Sequence, residues 1–184
     1  MFDPTIFENL KIALEGTVYD KDFSGEILVT SRHDAVDLAD MSREYRIGFQ
    51  LKENNTESPQ QLAAEIVLKA ETQDLSGEIL EMDAKDSGKP GCTIFVYIYH
   101  KAVTIHLCSE IEDVLDELWS FRPRIRQELS FALPLDKKEE RYKNTITLDF
   151  GRKIDESNFE DLPEMIDCTI SSLESITNLM NNRL

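Results

Sequence analysis

The sequence predicts an α+β fold: a largely antiparallel sheet of about five strands with flanking helices, including one helix at each end of the chain. Three observations predict it. Period-two segments recur in the middle of the chain, as where Tyr45, Ile47, Phe49 and Leu51 alternate with Arg46, Gly48, Gln50 and Lys52. Segments with an apolar residue every three or four positions open and close it. The links between successive strands are mostly short, as antiparallel neighbours allow. No unit of roughly 20–50 residues repeats. The 184 residues, 41% of them hydrophobic, suffice for one core, so a single domain over 1–184 is expected.

Taken in order, Asp3 and Pro4 mark a helix start, and Ile6, Phe7, Leu10, Ala13, Leu14 and Val18 form its apolar stripe. Ile27, Leu28 and Val29 favour a short strand over 26–30. Asp34 suits the cap of a short helix to Met41, with Val36, Leu38 and Met41 as apolar members. After the strand at 45–51, the polar stretch 52–59 reads as a loop. A strand over 62–71 follows, with Ile66, Leu68 and Ala70 between Glu65, Lys69 and Glu71. Residues 83–91, DAKDSGKPG, are a loop by composition. CTIFVYIYH at 92–100 is β-branched and aromatic almost throughout, which predicts a central strand covered on both faces. Residues 103–108 read as its hairpin partner across a turn at 100–102, which would make His100 a turn residue and His106 a solvent-facing strand residue.

Ser109–Glu112 is a capping box, opening a helix with Ile111, Val114, Leu115, Leu118 and Trp119 on one face. Pro123 stops it, and a second short helix is expected to run to Ala132. LDKKEERYKN at 135–144 reads as a charged loop. Ile146, Leu148 and Phe150 predict another strand. Asp161-Leu162-Pro163 opens the last helix, whose stripe runs through Leu162, Ile166, Ile170, Leu173, Thr177 and Met180, as a cover for the sheet or a seam between two copies.

Twenty Lys and Arg stand against 36 Asp and Glu, a net charge of −16, which repels nucleic acid and anionic membranes and leaves a protein partner or self-association as the expected contact. No apolar run reaches membrane-spanning length and no basic-then-apolar leader opens the chain. Three cysteines, Cys92, Cys108 and Cys168, sit among apolar neighbours and read as buried free thiols, in keeping with a reducing cytoplasm. No phosphate-binding glycine loop, dinucleotide fingerprint, nucleophile elbow or H-E-x-x-H occurs, and no cofactor is expected.

One motif stands out. DKDFSGEILVTS, 20–31, follows the opening of an EF-hand calcium loop: Asp20, Asp22 and Ser24 at its first three side-chain positions, Gly25 at the sharp turn, the Glu26 carbonyl next and Ile27 after it. The bidentate Glu that should close the loop is Ser31. The competing reading is a tight turn between helix and strand, with Gly25 taking a positive φ. The word SGEIL recurs at 76–80 without the flanking ligands. Two further clusters are candidate sites. Asp34 and Asp37, with Asp20 and Asp22, could serve a metal-assisted or small-ligand enzyme if they converge. Arg122, Arg124 and Arg126 form a basic patch for an anion or an acidic partner. Against these stands the reading with fewest demands, a non-enzymatic cytosolic protein of the interaction or regulatory kind. Small, acidic, mixed α+β and closed by a helix, the chain resembles bacterial secretion chaperones in those features.

Overall fold

The computed structural model describes residues 5–52, 62–80, 90–131 and 142–182. The expected start at Asp3–Pro4 and almost all of the expected loops 52–59, 83–91 and 135–144 lie outside these residues. Among the described residues, four helices and six strands follow one another as α1 (Thr5–Ser24), β1 (Ile27–Asp37), β2 (Ser42–Leu51), β3 (Leu62–Ala70), α2 (Thr72–Ile79), β4 (Cys92–Val103), α3 (Ile105–Leu118), β5 (Arg124–Ser130), β6 (Tyr142–Ile154) and α4 (Asp161–Asn181). The sheet is antiparallel throughout, in the order β1-β2-β3-β4-β6-β5. Among the described residues, no helix is long and apolar enough to cross a membrane.

The helices α1, α3 and α4 share one face of the sheet. Phe7, Leu10, Leu14 and Val18 of α1, Leu107, Ile111 and Leu115 of α3 and Ile166, Leu173 and Ile176 of α4 meet Ile47, Ile66, Val96, Ile98 and Leu148 from the strands in a single apolar cluster. The stripe on α4 is therefore a cover for the sheet. The other face carries Phe95, Tyr97 and Tyr99 in a row on β4, with Tyr97 and Tyr99 stacked at 6.3 Å. Among the described residues the two faces of β4 are thus not equally covered: Ile98 is fully buried, whereas Tyr99 is 36% exposed.

Helix α1 ends where DKDFSG begins to turn. Gly25 N donates to the Asp22 carbonyl at 3.0 Å and Glu26 N to the Lys21 carbonyl at 3.1 Å, the pair of bonds of a Schellman cap, with Gly25 at φ 87°. Gly25→Ala is expected to cost about 1 kcal/mol or more, because an L side chain is strained at that φ; an unchanged urea midpoint would show that the turn relaxes.

Three segment assignments are corrected. Residues 34–41 are the end of β1 and a hairpin turn, not a helix: Asp37 Oδ1 accepts the Ala39 N–H at 2.8 Å and Asp40 Oδ1 the Ser42 N–H at 2.9 Å. Leu38 is 80% exposed, so the apolar spacing seen there buries nothing. Residues 103–108 are not the hairpin partner of β4, because α3 already begins at Ile105 and its buried Leu107, Ile111 and Leu115 keep a four-residue step. β4 pairs instead with β3 and β6, which makes His100 a buried strand residue and His106 an exposed helical one. Residues 124–130 form an edge strand on β6 rather than a short helix, and the sheet has six strands where about five were expected. The two SGEIL words adopt different structures: the first spans a helix end, a turn and a strand, the second lies mostly within α2. Asp74 begins that helix by accepting the Glu71 N–H at 3.1 Å.

Candidate binding cleft

The end of α3 is bent out of regular helix by two consecutive left-handed residues, Ser120 at φ 52° and Phe121 at φ 56°. The turn is held by bonds from Phe121 N to the Asp116 carbonyl at 2.9 Å and from Arg122 N to the Trp119 carbonyl at 3.1 Å, and Pro123 follows. Non-glycine residues in this region are strained by about 1–2 kcal/mol each. Trp119 is drawn inward as Phe121 is turned outward: Trp119 is 6% exposed and Phe121 75%.

Trp119 Nε1 donates to Ser172 Oγ on α4 at 3.0 Å, and the Ser172 hydroxyl donates to the Cys168 carbonyl at 2.7 Å. The indole meets the Phe150 ring edge-on, with centroids 5.5 Å apart. Phe150 stands on β6 just before Gly151, whose φ of 63° and bond to Asp149 Oδ1 at 2.8 Å turn the strand. Beyond β6, Asp155 accepts the Ser157 N–H at 2.9 Å and starts a 3-10 turn, Glu156–Asn158. Asn158 then donates to Asp161 Oδ2 at 2.9 Å, and Arg152 Nη2 lies 3.4 Å from the same oxygen.

These segments enclose a cleft of about 570 Å³, within the range of small-ligand sites. Ile94, Trp119, Phe150, Leu162 and Met165 give it apolar walls, while Arg122, Arg152, Asp161 and Glu164 bring charge to it. Cys168 also lines it. Burial, followed by Glu164 and Asp167, pushes its thiol up from the ordinary range. Burial likewise raises Cys108, and pushes Cys92 up to about 12. All three thiols are held in the protonated form, which is a poor nucleophile.

The expected site residues are distributed differently. Asp20 and Asp22 lie within the last turns of α1, and positions two apart on a helix point about 200° from each other. Ser24 Oγ donates to Glu26 Oε1 at 2.7 Å, and the Glu26 carboxylate lies 3.2 Å from Lys21 Nζ. The Ser24 hydroxyl and then Lys21 hold Glu26 below the usual carboxylate range. The set Asp20, Asp22, Ser24 and Glu26 is a capped helix end rather than an open loop. Asp34 pairs with Lys11 at 2.9 Å, nine residues back along α1 from Asp20, or about 13 Å of helix rise. Asp37 serves the hairpin turn. The four carboxylates Asp20, Asp22, Asp34 and Asp37 do not converge, and among the described residues no group of three His, Cys, Asp or Glu is placed to hold a metal ion.

The arginine patch is divided. Arg122 reaches the cleft on the helical side of the sheet. Arg124 and Arg126 pair in register with Asp149 and Thr147, on the face that carries Phe95 and Tyr97, and Arg126 is bound to Glu128. The cleft itself draws on residues from 94 to 168, and its one local signal is the only tryptophan of the chain, followed by Ser-Phe-Arg-Pro. Comparison with protein families, curated proteins and solved structures gave no match.

Proposed function

We propose that this chain is a non-catalytic binding protein of the interaction or regulatory kind, and that the Trp119 cleft receives an apolar segment of a protein partner. One observation carries the reading: two consecutive strained residues hold the end of α3 beside an apolar concavity and leave Phe121 exposed between two residues that line it. Strain of this kind persists where the surrounding structure uses it. The chemistry around the cleft supports binding over bond-making. Asp161 is engaged by Arg152 and Asn158, and Cys168 is kept as a thiol. A partner segment with an apolar anchor and an acidic neighbour would fill the floor and meet Arg122.

The only tryptophan is a built-in reporter. Peptides selected from a displayed random library on the intact protein are expected to shift Trp119 emission on binding. Met165→Asp, which puts a charge on the cleft wall, is expected to weaken them by at least about tenfold. Selection that yields only peptides indifferent to Met165→Asp would reject the cleft as the site. Light scattering on the same sample decides whether the partner is a second copy of this chain.

A further inference from the structure

His100 and Asn144 are cross-strand neighbours on β4 and β6, each 1% exposed. Both ring nitrogens of His100 and the Oδ1 of Asn144 are buried without a hydrogen-bond partner among the described residues. Buried polar atoms are nearly always paired, so three orphans on two adjacent side chains call for an explanation. The rest of the Asn144 amide is engaged: its Nδ2 donates to Gln127 Oε1 at 2.8 Å, and Gln127 Nε2 donates to the Cys108 carbonyl at 2.7 Å. A chain of polar contacts therefore runs from Asn144, the cross-strand neighbour of the imidazole, through Gln127 of β5 to the first turn of α3.

We propose that the His100–Asn144 pair is an acid-sensitive latch that holds the α3–β5 unit, and with it the Trp119 cleft, in the closed arrangement. The consequence for the cleft rests on the binding reading given above; the latch itself does not. Helix α3 and strand β5 are joined by residues 119–123, so Trp119, Ser120 and Arg122 belong to the unit that the polar chain secures. A neutral imidazole is tolerated here. An imidazolium has two N–H donors and a full charge in a buried pocket, where the unpartnered acceptor beside it among the described residues is Asn144 Oδ1.

Among the described residues, nothing gives the charge a counter-ion. Register sets Leu62 of β3 and Asn144 of β6 on either side of His100, and hydrogen bonds lead from Asn144 to Gln127 of β5 and on to Cys108 of α3; the titratable group among these, the Cys108 thiol, is kept protonated by burial. Burial pulls His100 down from 6.5 to about 4. A folded-state value below the unfolded one means that the closed form is fully favoured above about pH 6.5 and loses ground as pH falls toward 4. The cheapest way to hydrate the ring is to release β5, an edge strand, together with α3, since β3 and β6 hold β4 on both sides.

Hydrogen exchange of the whole, unliganded chain tests this, corrected for the intrinsic effect of pH on amide exchange. From about pH 7 to about pH 4.5, protection of 105–118 and 124–130 is expected to fall roughly fiftyfold relative to α1 and α4, the factor that the lowered imidazole value implies. His100→Leu, which cannot charge, is expected to abolish the difference. Asn144→Asp, which supplies a counter-charge, is expected to suppress it as well. Uniform loss of protection across all elements would overturn the latch even if neither variant folds. So would a folded variant that opens as the natural chain does. Because no ligand is present, failure of peptides to bind the cleft leaves this result unaffected, and the two ideas fail separately.

Discussion

Trp119→Ala is expected to cost about 4 kcal/mol, the range seen when a large aromatic is removed from a core. Although it lines an open cleft, Trp119 is 6% exposed and packs edge-on against Phe150, so truncation leaves a void that these neighbours only partly fill. It also removes the indole bond to Ser172, whose hydroxyl remains satisfied as a donor by the Cys168 carbonyl. For a chain of this size the loss should lower the melting temperature by roughly 8–16 °C. Trp119→Phe separates the two contributions. It keeps an aromatic contact with Phe150 and gives up the hydrogen bond and part of the ring, so about 1–2 kcal/mol is expected. Urea unfolding of the three proteins decides the matter. A cost for alanine below about 1 kcal/mol would mean that the indole is a surface residue of the cleft and not part of the core.

Lys11→Met is expected to cost about 3 kcal/mol near neutral pH. Lys11 is 7% exposed and its ammonium lies between Glu8 and Asp34, 2.9 Å from the latter. Arg43 closes the group, 2.8 Å from Glu8 and 3.5 Å from Asp34, with its guanidinium 4.6 Å above the Phe7 ring. Two cations balance two carboxylates between α1, β1 and β2. Methionine keeps the length of the stem and removes one charge, leaving two partly buried carboxylates to share one guanidinium.

The pH dependence follows from the directions of the shifts. Burial raises Glu8 and Asp34, but Lys11 and Arg43 outweigh it and hold both below their ordinary values of 4.5 and 3.8. Their contribution is complete above those values and is lost as pH falls through the lower, folded-state ones. Burial lowers Lys11, but Glu8 and Asp34 outweigh it and raise it above 10.5. Its contribution is complete below 10.5 and is lost as pH rises past the folded value. The stability gap between the natural chain and Lys11→Met should therefore be a plateau that closes at both ends. A gap independent of pH would assign the cost to packing of the stem instead.

Much of the fold was legible in the chain because it is written in local periodicity. The stripe on α1, the alternation in β2 and the β-branched run of β4 each persist long enough to exclude the other period. The Schellman turn at Gly25 was legible too, since a glycine between a helical stripe and an apolar β-branched run has few other uses. Short segments were not. Residues 34–41 and 103–108 satisfy either period over so few positions that pairing elsewhere decides them. Residues 124–130 become a strand only because β6 offers an edge.

The candidate sites divide along the same line. Asp20, Asp22 and Ser24 have loop-like spacing in sequence, but α1 continues through them and turns neighbouring ligands apart. Arg122, Arg124 and Arg126 look like one patch until strand pairing sends the last two to the opposite face from the cleft that Arg122 lines. The cleft, and the buried His100 beside Asn144, join residues dozens of positions apart, for which no local pattern exists. The sequence by itself determined which of the long segments are helical or extended and which faces of them are apolar, because those properties depend on residues within a turn or two of one another. Only the tertiary structure decided which charges are paired, which histidine is buried and where the concavity lies, because burial and dielectric are set by what packs against a residue from elsewhere in the chain.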